Sequence, residues 1–97
     1  MTEREIFFEY KKIAHPHSVI WKPPQMRTMR SDIFGCFDFI EYNPAFGYKL
    51  VQITTTNHLS ERRRKIQDFF NKNNLKMPNC YIYAWDKSKG YFKVEKV

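Results

Sequence analysis

An aspartate set between two phenylalanines, Phe37-Asp38-Phe39, and a polar pair two residues apart, Gln52 and Thr54 in Tyr48-Lys-Leu-Val-Gln-Ile-Thr54, are the residues of this chain best suited to chemistry. An ionised carboxylate inside an apolar strand costs several kcal/mol unless a cation, a metal or hydrogen bonds compensate it. Gln52 and Thr54 share one face of a strand, because side chains alternate along an extended backbone. If a hairpin brings Asp38 beside them, a carboxylate, an amide oxygen and the backbone carbonyl of Ile53 converge. That is a donor set for a hard cation such as magnesium, which takes one or two protein carboxylates and keeps room for water and phosphate oxygens. A metal held there polarises a phosphate and acidifies an attacking water. Asp32, six residues before Asp38, is either a further ligand or a loop residue paired with Arg27 or Arg30.

The elements that must position these groups are legible. Thr2 and Glu5 form a capping box, and Ile6, Phe7, Tyr10, Ile13 and Ala14 recur at helical spacing, which predicts a helix from about Glu3 to Ala14. Ser18 to Lys22 reads as a short strand stopped by Pro23-Pro24, and Gln25 to Ser31 as a basic loop. Gly35 to Tyr42 and Tyr48 to Thr55 read as two strands joined by the turn sequence Asn43-Pro-Ala-Phe-Gly47. Ser60 is the expected N-cap of a second helix with Ile66, Phe69 and Phe70 inward. Cys80 to Trp85 and Tyr91 to Val97 complete the strands, the last alternating as an edge strand does. The order is α-β-β-β-α-β-β, an α/β domain spanning residues 1–97 with a central mixed sheet flanked by two helices.

Composition narrows the partners. Seventeen basic against ten acidic residues in 97 give a formal charge of +7. Lys22, Arg27 and Arg30 form one basic stretch, and Arg62, Arg63, Arg64 and Lys65 a second, so the natural partner is a polyanion, of which nucleic acid is the commonest. No apolar run reaches membrane-spanning length and no secretory leader is evident, so an intracellular, cytoplasmic setting without a membrane is expected. Cys36 and Cys80 lack metal-ligand spacing and read as reduced core residues in strands. His15, His17 and His58 read as exposed loop histidines rather than ligands.

Arg30-Ser-Asp-Ile-Phe-Gly-Cys-Phe-Asp38, Val51-Gln-Ile-Thr54 and Arg62-Arg-Arg-Lys-Ile66 together resemble the PD-(D/E)XK nuclease superfamily, in particular its small phage-associated and archaeal resolvase-type members. The likeness covers about Glu3 to Tyr83 and implies a restriction-endonuclease-like fold and magnesium- or manganese-dependent cleavage of DNA. Asp38 falls on the metal-binding Asp of that pattern. Gln52 stands where Glu or Asp is usual, and Thr54 where the family has its lysine, so the catalytic set implied is Asp38, Gln52 and Thr54, with Asp38, Gln52 and Ile53 on the metal. Strand parity places Lys49 on the opposite face, which leaves an arginine of the second helix as the substitute charge. Glu9 or Glu5 corresponds to the acid some members carry on their first helix, with Asp32 a further accessory acid. Arg27, Arg30, Arg62, Arg63, Arg64 and Lys65 are the implied phosphate contacts, and a homodimer is expected by analogy. Two rival readings stand beside this one: a non-catalytic descendant that binds DNA or protein, and an RNA-binding sheet in which Lys89-Gly-Tyr-Phe-Lys-Val94 resembles an aromatic RNP1 strand and Tyr81, Tyr83 and Trp85 are the stacking platforms.

Overall fold

A computed structural model of the chain describes residues 1–24 and 32–97. Among the described residues, two helices and five strands run in the order α1 (Glu3–Ile13), β1 (Val19–Trp21), β2 (Phe39–Asn43), β3 (Gly47–Thr55), α2 (Leu59–Lys72), β4 (Cys80–Asp86) and β5 (Tyr91–Lys96), with a 3-10 turn, Thr56–His58, inserted before α2. The strands lie in chain order across one mixed sheet, β1-β2-β3-β4-β5. Only β3 and β4 run parallel, because α2 carries the chain back across the sheet between them, and the other neighbours are antiparallel.

Period-two alternation sends each strand's side chains to two separate cores. Ile6 and Tyr10 of α1 pack on Phe39, Val51 and Ile53. On the opposite face Leu59, Ile66 and Phe70 of α2 cover Cys80, Ile82 and Ala84. β3 is thus covered on both sides, and residues 51–54 are all buried. Phe39, fully buried, packs against Phe7 and Tyr10 at ring separations of 5.2 and 4.9 Å. Burying such a side chain contributes about 2–3 kcal/mol.

The capping box at Thr2 is present, with Glu5 N–H donating to the Thr2 hydroxyl at 3.2 Å and Thr2 N–H donating to the Glu5 carboxylate at 3.0 Å. The β2–β3 hairpin closes with Asn43 opposite Gly47, whose φ of +79° is the left-handed backbone that glycine adopts without a Cβ clash. Other expectations shift. Helix α2 begins at Leu59, with His58 rather than Ser60 at its cap position, because the 3-10 turn already supplies the first helical bonds and buried Leu59 anchors it. Strand β2 starts at Phe39, not at Gly35. Gly35 and Cys36 belong instead to a turn in which Gly35 N–H donates to Asp32 O at 3.1 Å, so Cys36 is a core residue but not a strand residue. Phe34 takes a left-handed φ of +55° in that turn and stacks on Phe69 of α2 at 5.4 Å, a contact that offsets the strain. Both thiols are free and buried, and burial pushes each up to about 11, which keeps them protonated and unreactive.

Candidate functional site

Asp38 occupies the bend that enters β2. Its backbone N–H donates to Val51 O at 2.8 Å, and Val51 is already the ladder partner of Phe39, so Asp38 and Phe39 both meet Val51 and the regular pairing ends there. Its Oδ2 accepts from Ile53 N–H and from Gln52 Nε2, both at 2.7 Å. Gln52 Nε2 also donates to Ile53 O at 2.9 Å, and those two acceptors fix the amide's orientation. Its other end, Oε1, is then buried with no hydrogen-bond partner. A buried amide oxygen in that condition is costly, and a bound cation is one way to satisfy it. Thr54, also buried, follows on the same face, facing Ala84 of β4. The hairpin therefore brings Asp38 and Gln52 together, with Thr54 buried on the same face of β3 as Gln52, while the Ile53 carbonyl is engaged by the Gln52 side chain.

Burial pushes the Asp38 carboxyl up to about 7. The Ile53 N–H opposes this by favouring the carboxylate, whereas Glu3, through its charge and as acceptor of the protonated Asp38, and Asp32 more weakly, reinforce it. The acid that α1 brings to Asp38 is Glu3. Glu9 is instead paired with Lys12 at 3.0 Å, and Glu5 belongs to the cap. The signal was present in the sequence: Glu3, Ile6 and Tyr10 recur at three and four residues and share one helical face, and Glu9 does not lie on it. Asp32 serves the turn through its backbone carbonyl, and its carboxylate lies 3.9 Å from Lys65 Nζ.

The basic cluster of α2 is divided. Arg63 is committed to β5, donating from Nε and an Nη to Glu95 at 2.6 and 2.7 Å, so it is not the open phosphate contact that its place in the run suggested. Arg62 lies between Leu59 and Ile66 on the inward side of the helix, and its Nε is buried without a partner. Arg64 and Lys65 face solvent. Arg27 and Arg30 lie outside the described residues. Lys49 sits on the α1 face, donating to the Tyr83 hydroxyl at 2.9 Å and lying 3.9 Å from Glu41, so it cannot stand in for the charge that Thr54 lacks. Tyr83 and Trp85 pack beneath α1 rather than standing open as stacking surfaces.

Among the described residues no three histidine, cysteine or acidic side chains are grouped as metal ligands. The oxygens that meet at Asp38 are its own carboxyl and that of Glu3, while Gln52 turns its amide nitrogen toward Asp38; hard-cation ligands such as those of magnesium or manganese are of this oxygen type. No helix among the described residues is long and apolar enough to cross a membrane. The chain matches no protein-family model, no curated protein and no solved structure.

Proposed function

We propose that the chain is a divalent-metal-dependent phosphodiesterase acting on DNA, with a restriction-endonuclease-like arrangement and a variant D…QxT site. One observation supports the reading: a buried Asp38 whose proton affinity is raised toward neutrality sits against Glu3 and accepts from the amide nitrogen of Gln52, whose own oxygen is buried and unsatisfied. In this reading Asp38, Glu3 and Gln52 hold the metal, which when bound supplies a polarised phosphate and a more acidic water. The Thr54 hydroxyl orients that water or a phosphate oxygen. Arg62, inward on α2, supplies the positive charge that a lysine at position 54 would have given. Arg64 and Lys65 contact the phosphate backbone.

Threonine at position 54 favours a second reading, a site that binds metal and DNA without cutting. Calorimetric titration with manganese, run beside labelled single-stranded, duplex, nicked and branched DNA, separates the two. The expected result is a binding isotherm that Asp38→Ala abolishes, with strand scission in the same metal. Metal and DNA binding without scission selects the second reading, and absence of a metal isotherm sinks both.

The backbone contacts make a further prediction. The logarithm of DNA affinity should fall linearly with the logarithm of salt, and Arg64→Ala or Lys65→Ala should each lower that slope by about 1 without changing sequence preference. A salt-insensitive affinity, measured by fluorescence anisotropy, refutes the assignment of these two side chains.

A further inference from the structure

Among the described residues, the sheet face that holds Gln52 and Thr54 is only half covered. Helix α2 packs over β3 and β4. Beyond it, the exposed side chains of the same face are Val19, Trp21, Tyr42 and Tyr48, while Ile40 and Leu50 between them are half-buried. Ile20 packs under α1, so Val19 and Trp21 project to the other side, and Trp21 is 54% exposed. Glu41 and Lys49 likewise point to the α1 face, so Tyr42 and Tyr48 emerge on the face of Gln52, with Tyr48 67% exposed and its ring 4.8 Å from that of Tyr42. Strand register orders these groups into rows. Val19, Tyr42 and Tyr48 stand in one, and Trp21, Ile40 and Leu50 in the next. The next residue of this face on β3 is Gln52, about 7 Å further along the strand, and its amide nitrogen bonds Asp38.

We infer that this face is a stacking platform for an unpaired stretch of DNA, with Trp21 receiving the base nearest the Asp38 site. The inference rests on the DNA reading above and specifies the form of the substrate. Three features select this occupant. The open groups are mainly aromatic, and every base has a π-face to lay on them, whereas a duplex keeps those faces inside its own stack. The chain carries +7, which favours a polyanion and disfavours a second copy of an equally charged chain. Along β3 this face runs from Tyr48 through Leu50 to Gln52, so a strand lying on the rings is led toward the Gln52–Asp38 pair.

The test is binding of labelled short oligo(dT) and of a duplex of the same length, by anisotropy in EDTA, to the wild type, Trp21→Ala and Tyr48→Ala, with circular dichroism to confirm folding. Trp21→Ala should lose about 5- to 150-fold in oligo(dT) affinity, the worth of one stacked base, and less than about twofold on duplex. Equal losses on both forms, or none on oligo(dT), overturn the platform. Sedimentation supplies a further check: if Trp21→Ala dissociates a dimer while leaving oligo(dT) binding intact, the face belongs to a second copy and the inference fails. If neither DNA form binds the wild type at low salt, the DNA reading falls as well. Trp21-dependent oligo(dT) binding without scission in manganese leaves the platform standing and removes only the catalytic assignment.

Discussion

Asp38→Asn should make the protein more stable at pH 8 and indifferent to divalent metal. The Asp38 carboxyl rises from 3.8 to about 7 on folding, so the folded state holds its proton more tightly than the unfolded state. Stability contributed by this group is therefore complete below about pH 4, declines as the pH rises through about 7, and is then lost at a cost on the order of a few kcal/mol. Asparagine is neutral at every pH. Its carbonyl oxygen can accept from Gln52 and Ile53 as Oδ2 does, while its amide nitrogen can donate toward Glu3. Urea melts in EDTA should find the variant ahead of the wild type at pH 8, with the gap closing toward pH 4. Adding manganese should stabilise the wild type, by about 2.7 kcal/mol at a hundred times its dissociation constant, and leave the variant unchanged. A variant no more stable than the wild type at pH 8 would contradict the cost assigned to this carboxylate. An equal response of both proteins to manganese would remove Asp38 from the metal site.

The pairing of Asp38 with Gln52 was legible because a hairpin turn and period-two alternation leave little freedom. Once Asn43 lies opposite Gly47, the register runs back to Phe39 opposite Val51, and Asp38, next along the chain, is left within side-chain reach of Gln52. The same logic placed Lys49 on the far face. What the sequence hid depends on how separate elements dock. Nothing local says that Arg63 will meet Glu95, because that pair exists only once α2 lies across the sheet from β5. Glu3 was overlooked because an acid in the first turn of a helix already has an explanation in the helix dipole, although its register with Ile6 and Tyr10 marked the inward face. The buried Glu41 went unread for a similar reason. A strand ending Phe39-Ile-Glu-Tyr-Asn43 looks solvent-facing at its close, yet Phe39, Glu41 and Asn43 alternate onto the face beneath α1.

That buried glutamate is where removal of a single oxygen should be felt most. The Tyr10 hydroxyl donates to Glu41 Oε1, the Ser18 hydroxyl donates to Oε2 at 2.8 Å, and Asn43 Nδ2 donates to the Ser18 oxygen at 3.2 Å. Burial first, then Glu41, drives the Tyr10 hydroxyl far above its usual range, so it stays a neutral donor at any accessible pH. Tyr10→Phe keeps the ring and its 4.9 Å contact with Phe39 but withdraws one donor from a carboxylate that is 1% exposed. The expected loss is about 1.5–3 kcal/mol by urea denaturation, the range for a hydrogen bond to a buried charged group. Glu41→Gln, which removes the charge and one of the two acceptor oxygens, should cost a comparable amount, and because both changes weaken the same bond the double variant should cost less than their sum. Strict additivity would mean that the two residues do not act on one another. The consequence extends to function because Tyr10 and Glu3 share the inward face of α1, two turns apart. The bond that fixes this helix to β2 also fixes the carboxyl that meets Asp38. Tyr10→Phe should therefore weaken manganese binding without touching a ligand, as loss of a support that holds a donor in place does.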